Sequence, residues 1–132
     1  MSPTTHLIFY ACALVAITVA VHAAGLALML GSATWQLTST LMRFWPVTWV
    51  RIRLALSLIW MHLAEISVWA LFYLWGGCLP DAEAAFYFSG VTYTTLGYGD
   101  VVLPPQWRLL APLEGLTGIL MCGLSAGLFF AT

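Results

Sequence analysis

The sequence predicts an all-α membrane protein: three transmembrane helices, with a short re-entrant helix and an irregular loop between the second and third. Three observations carry this. The 132 residues are 62% hydrophobic and 7% charged, with a mean hydropathy of +0.96, whereas a soluble domain carries about 25% charged residues. Three apolar runs each reach the roughly 20 residues that a bilayer crossing needs. Between the last two runs lies a helix-compatible segment too short to cross, followed at once by Thr94-Thr95-Leu96-Gly97-Tyr98-Gly99-Asp100.

The first run, residues 7–30, contains no Asp, Glu, Lys or Arg. Its AVHAAG stretch has the small residues of a signal-peptide cleavage site. No Lys or Arg precedes it, however, and the run exceeds the ~7–15 residues of a signal core, so it reads as a retained helix. The chain then turns polar and brings Arg43, Phe44, Trp45, Pro46, Trp49, Arg51 and Arg53, an interleaving of arginine and tryptophan that belongs at a membrane–water interface. Pro46 suits a first helical turn, where its missing N–H costs nothing. A second helix therefore starts there, enters hydrocarbon near Leu54 and leaves at Trp75-Gly76-Gly77, with Phe72, Tyr73 and Trp75 as the opposite aromatic belt. This divides the chain into residues 1–45, a leading helix and interfacial loop, and residues 46–132, which carry the rest.

Asp81 is a good N-cap and Glu83 favours the positive end of a helix beginning at Ala82. A helix over 82–94 is only about 20 Å long. After a connector holding Pro104 and Pro105, a last helix runs from about 106 to 132 and contains Gly115, Gly118, Gly123 and Gly127. With Arg43, Arg51 and Arg53 between the first two spans and Arg108 alone after the short helix, positive charge places the N-terminus outside and the C-terminus in the cytoplasm of a plasma membrane. There is no lysine and the net charge is −1, which argues against nucleic acid as a partner. Cys12, Cys78 and Cys122 are odd in number and lie in or beside apolar segments, so they read as small core residues rather than a disulfide frame. No catalytic constellation or phosphate loop is visible, no cofactor is implied, and the chain does not read as an enzyme.

Backbone that dips into a membrane outside helix or sheet is tolerated only where it is buried in protein or lines a wet cavity. Aiming consecutive carbonyl oxygens at one axis needs alternating left- and right-handed backbone angles, and glycine takes φ > 0 without a Cβ penalty. Gly97 and Gly99 stand at every second position, as that geometry demands. Leu96 and Tyr98 then project into the packing behind the axis, the Thr95 hydroxyl adds one more oxygen, and Asp100 puts negative charge where cations arrive. One chain provides one wall, so rings of oxygen need several copies.

TTLGYGD closely resembles the selectivity filter of potassium channels, and the resemblance covers about residues 54–132: outer helix (about 46–76), pore helix (82–94), filter (95–100) and inner helix. Small bacterial membrane proteins of the ion-channel family look similar, with an extra leading helix. The resemblance implies a homotetramer in a lipid bilayer, with backbone oxygens of Thr95, Leu96, Gly97, Tyr98 and Gly99 replacing the hydration shell of K⁺, the permeant ion. It implies passive K⁺-selective conduction; the alternatives are a weakly selective cation channel and a non-conducting subunit that keeps the fold. Thr94 and Asp100 flank the filter, and Tyr87 and Phe88 fall where family members carry two aromatics around it. Phe88 has no donor, so a bond from this pair to Asp100 falls to Tyr87. Val91 stands where some members carry an acid, and Glu114 is the substitute, acting through a pore-helix hydroxyl such as Thr92 or Tyr93; the alternative is an acid snorkelling to the outer interface. By the same alignment Gly118 takes the hinge position of the inner helix, with Gly123 a second candidate, while Gly115 and Gly127 serve close packing. No arginine ladder marks a voltage sensor.

His62 and Glu65 share a face of the second helix, and a charge at mid-bilayer costs about 2.5–3.5 kcal/mol, so Glu65 needs a partner or a proton. Counted from the outer helix ends at 1.5 Å per residue, His22 lies about 22 Å deep, His62 about 21 Å and Glu65 about 17 Å. These depths predict that His22 or His62 hydrogen-bonds Glu65 and ties the leading helix to the outer helix, as interhelical glue or as a pH sensor. His62 and Glu65 alone are too few ligands for a metal.

Overall fold

The computed structural model describes residues 3–37 and 44–131, with side chains from 5–31 and 48–131. Residues 38–43 of the expected interfacial loop, Arg43 among them, lie outside the described residues, and α1 and α2 take up the rest of that stretch. Four helices follow in order: α1 (Pro3–Leu37), α2 (Phe44–Trp75), α3 (Ala82–Tyr93) and α4 (Leu110–Ala131), and no strand occurs among the described residues. Three helical segments are long and apolar enough to cross a membrane, Thr5–Gly31, Thr48–Trp75 and Leu110–Ala131. α3, at 12 residues, is about 18 Å long and is not.

Local chemistry explains where the helices stop. α2 ends in a Schellman motif: Gly77 takes φ +62°, its N–H donates to Leu74 O (3.2 Å), and the Cys78 N–H donates to Tyr73 O (2.9 Å), satisfying carbonyls that a helix end leaves bare. α3 starts on Asp81, whose Oδ1 accepts from the Ala84 N–H at 2.8 Å. The inner helix, expected from about 106, begins instead at Leu110. A separate 3-10 turn spans Pro105–Trp107, because prolines at 104 and 105 cannot donate, and only Trp107 N–H closes back onto Pro104 O (2.9 Å).

α1 lies along α2 and α4, and α3 sits between α2 and α4. Buried positions Ala11, Leu14, Thr18 and His22 follow helical spacing and form one stripe on α1. They pack the leading helix onto its own chain. The main core joins Ala11 and Leu14 to Trp69, Tyr73, Phe88 and Leu110. Trp69 Nε1–H donates to Thr18 Oγ1 at 3.0 Å, adding a polar contact between α1 and α2. Two expectations fail. Tyr73 is not part of an interfacial belt: it is fully buried, while Trp75 is exposed, because Tyr73 points at α3 and α4. Cys12 and Cys122 are exposed and only Cys78 is buried, since each of the first two sits one residue, about 100° of rotation, past a buried neighbour, Ala11 or Met121.

Candidate functional site

The loop after α3 alternates in handedness. Gly97 and Gly99 take φ +59° and +78°, and Thr95 takes +62°; Leu96 and Tyr98 between them do not. The alternation thus begins one step before the glycines, at a β-branched residue that pays about 1–2 kcal/mol for that conformation. Bonds to the end of α3 hold it there: Thr95 N–H donates to Thr92 O (3.0 Å) and Gly97 N–H reaches back to Val91 O (3.2 Å). Thr94, the C-cap, donates its hydroxyl to Gly90 O at 2.6 Å. Within the chain Leu96 and Tyr98 are 60% and 67% exposed. The packing expected behind them is not supplied by the described residues of this chain.

At the C-terminal end of the loop Tyr87 donates its hydroxyl to Asp100 Oδ2 (2.7 Å), and Asp100 Oδ1 accepts from Val101 N–H (3.1 Å). The Tyr87 hydrogen bond holds the Asp100 carboxyl below its ordinary value, and the same bond raises the Tyr87 phenol. Phe88 is buried and meets Tyr73 edge-on, ring centres 5.3 Å apart.

Glu114 is fully buried and does not snorkel to the interface. Its carboxyl group bonds the hydroxyls of Ser89 on α3 and Tyr73 on α2 (2.7 Å for Tyr73), not Thr92 or Tyr93. The Ser89 Oγ also lies 2.9 Å from Ile66 O. One carboxyl group therefore fastens three helices behind the loop. The reason is register: Ser89 is one turn earlier on α3 than Tyr93, level with the first turn of α4.

Gly118, the candidate hinge, is a packing glycine. A Cβ there would lie 2.0 Å from Tyr93 O and 2.9 Å from Tyr93 C. At Gly115 it would lie 3.3 Å from Thr92 O, also a close approach, whereas at Gly123 and Gly127 nothing in the chain lies within 4 Å. Packing within the chain therefore explains Gly115 and Gly118 and does not explain Gly127.

His22, His62 and Glu65 converge. His22 Nδ1 lies 2.8 Å from Glu65 Oε1 and His62 Nδ1 lies 3.2 Å from Oε2. Tyr93 donates its hydroxyl to Oε2 and lies 3.1 Å from His62 Nδ1, while His62 Nε2 lies 3.0 Å from Ser125 Oγ. All four helices thus meet at one polar cluster whose Tyr93 immediately precedes Thr94 and the alternating loop. Ser125, Ser89 and Tyr73 are not singled out by the sequence as partners of these acids, and Tyr93, expected to meet Glu114, meets Glu65 instead. Their only signal is a polar group facing inward on an otherwise apolar helix, and which acid each would meet depends on helix register.

Residues 59–132, more than half of the chain, match the protein-family model described as "Ion channel". No curated protein and no solved structure matches. The matched segment starts within α2 and contains α3, the alternating loop and α4, so the loop and the Glu114 contacts lie inside it, while His22 on α1 lies outside. With three helices fit to cross a membrane, the chain is a multi-pass membrane protein and belongs to the ion-channel family.

Proposed function

We propose that four copies of this chain surround one axis and conduct K⁺ selectively, with backbone oxygens of Thr95, Leu96, Gly97, Tyr98 and Gly99 standing in for the ion's water. The observation that carries this reading is the alternation of positive φ at Thr95, Gly97 and Gly99. Such alternation turns successive carbonyls to one side, the side on which a dehydrated cation needs them. α3 ends at Tyr93, so its negative dipole end sits at the base of this row. Asp100, held ionised by Tyr87, stands at the other end and raises the local concentration of cations.

The surface of the single chain favours assembly. Leu96 and Tyr98 are exposed beside a cleft of about 320 Å³ lined by Val91, Thr92, Gly97 and Gly99, and a neighbouring copy in a ring would close it. Arg51 and Arg53 at the start of α2, against Arg108 before α4, favour a cytoplasmic α1–α2 connection, an outward-facing loop and a plasma-membrane location. Purified protein in liposomes tests the reading: K⁺ efflux far exceeding Na⁺ efflux, abolished by Gly99→Ala, is expected. Equal Na⁺ flux would leave a weakly selective channel, and no flux in a monomer would leave a non-conducting subunit.

A further inference from the structure

We propose that His22, His62, Glu65 and Tyr93 form an intramembrane site for a zinc-class transition-metal dication, which locks the leading helix to the base of the alternating loop. Sequence spacing offers only His62 and Glu65. The fold supplies a third ligand, His22 from α1, and ligand atoms of the three residues all lie within 4.8 Å of one another. Two imidazoles and a carboxylate are a common zinc set, and the Tyr93 oxygen completes four.

The spacing suits the ion. Metal–ligand bonds of about 2.0–2.1 Å at tetrahedral angles put neighbouring ligand atoms roughly 3.3 Å apart. Here His22 Nδ1 to Glu65 Oε1 is 2.8 Å, His62 Nδ1 to Glu65 Oε2 is 3.2 Å and His62 Nδ1 to the Tyr93 oxygen is 3.1 Å. A metal at the centre needs these pairs to open by tenths of an ångström, and the Tyr93 oxygen, which donates to Glu65 Oε2 in the metal-free cluster, to draw back from that oxygen and turn onto the ion. The surroundings suit it too. His62 ligating through Nδ1 keeps Nε2–H for Ser125 Oγ, 3.0 Å away, and a donated second N–H is what fixes a metal-bound imidazole in its tautomer.

Charge and burial favour a metal over hydrogen bonding alone. Glu65 is fully buried and His22 is 2% exposed. Among the described residues His22 Nε2 has no hydrogen-bond partner, so the one polar contact that holds this imidazole is Nδ1 to Glu65 Oε1. On binding, the Tyr93 phenol gives its proton to solvent. The dication, the Glu65 carboxylate, the phenolate and two neutral imidazoles then sum to zero charge, the condition that apolar surroundings favour. His62, whose side chain is 17% exposed, marks the open side for exchange.

The test uses full-length protein in lipid nanodiscs, stripped with chelator and titrated with Co²⁺, whose visible d–d absorption reports four-coordinate binding without reference to ion flux. One Co²⁺ per chain, displaced by Zn²⁺, is expected. Ser125→Ala should weaken binding by about 10–100-fold through loss of the orienting bond, and His22→Gln by more than about 100-fold. His6→Ala, on an exposed histidine of the same helix, should change nothing. Glu65→Gln should abolish the spectrum; if it fails to fold, the parent and His22→Gln still decide. A folded parent without the spectrum, or Co²⁺ binding of equal affinity in His22→Gln, would overturn the site and leave a hydrogen-bonded cluster; neither result bears on K⁺ selectivity.

Discussion

Replacing Gly118 by alanine separates hinge from packing. The added methyl carbon would stand 2.0 Å from the carbonyl oxygen of Tyr93, about 1.4 Å inside ordinary van der Waals distance. A flexible side chain could swing away, but this obstacle is backbone at the last residue of α3. Tyr93 is also tethered through its hydroxyl to Glu65, so α4 must move instead. Overpacking of this kind costs about 1–3 kcal/mol, and a rigid carbonyl puts Gly118 at the upper end. Alanine returns about 1 kcal/mol of helix propensity, which leaves a net destabilisation of about 2 kcal/mol, roughly 30-fold in the folding equilibrium. Gly123→Ala meets nothing within 4 Å in the chain and should gain or hold stability. Thermal or denaturant unfolding of the purified proteins measures both. A Gly118→Ala variant as stable as the parent would refute the packing argument and restore the hinge.

Further outcomes are expected at three places. Glu114→Gln should stay within about 1 kcal/mol of the parent, because the single Ser89 proton faces two acceptors, Ile66 O and Glu114, and an amide N–H satisfies the count. Glu114→Ala strands the Tyr73 hydroxyl and should cost about 1–3 kcal/mol in unfolding experiments. Trp69→Phe removes the Nε1–H bond to Thr18 and should loosen α1 from α2 by about 0.6–1.7 kcal/mol, the range for interhelical bonds in membranes, read as faster exchange of α1 amides. Asp100 has its carboxyl depressed by Tyr87, so their bond is complete above the usual carboxylate value and is lost only as pH falls through the depressed one. Ion flux should therefore be flat in external pH from 8 to about 5. Tyr87→Phe should shift the acid limb upward towards the ordinary value of 3.8, and an unchanged limb would separate Tyr87 from the titration.

The helices were legible because oil content and length decide membrane crossing, and because Asp81 and the Gly76-Gly77 pair punctuate the chain with short-range chemistry. Gly97 and Gly99 announced the alternating backbone for the same local reason. Thr95 did not, since its positive φ comes from the backbone hydrogen bonds that run back to Thr92 and Val91 on α3 and not from its own preference. Convergence of His22 with Glu65 could be read from depth alone, as both lie on long helices counted from their ends. What sequence could not supply was rotation about each helix axis. That angle decides that Tyr73 turns inward, that Cys12 and Cys122 turn outward, and that Ser89 rather than Thr92 or Tyr93 meets Glu114. Gly118 was ambiguous for a related reason: a glycine that bends and a glycine that admits a carbonyl are the same letter.

The most direct test of the central claim is a density map of the assembled protein determined in high K⁺. It should show fourfold symmetry and a single file of ion density on the axis, between rings of oxygen from residues 95–99. Chains that share no axis, or an axis empty of ions with those oxygens turned aside, would contradict it.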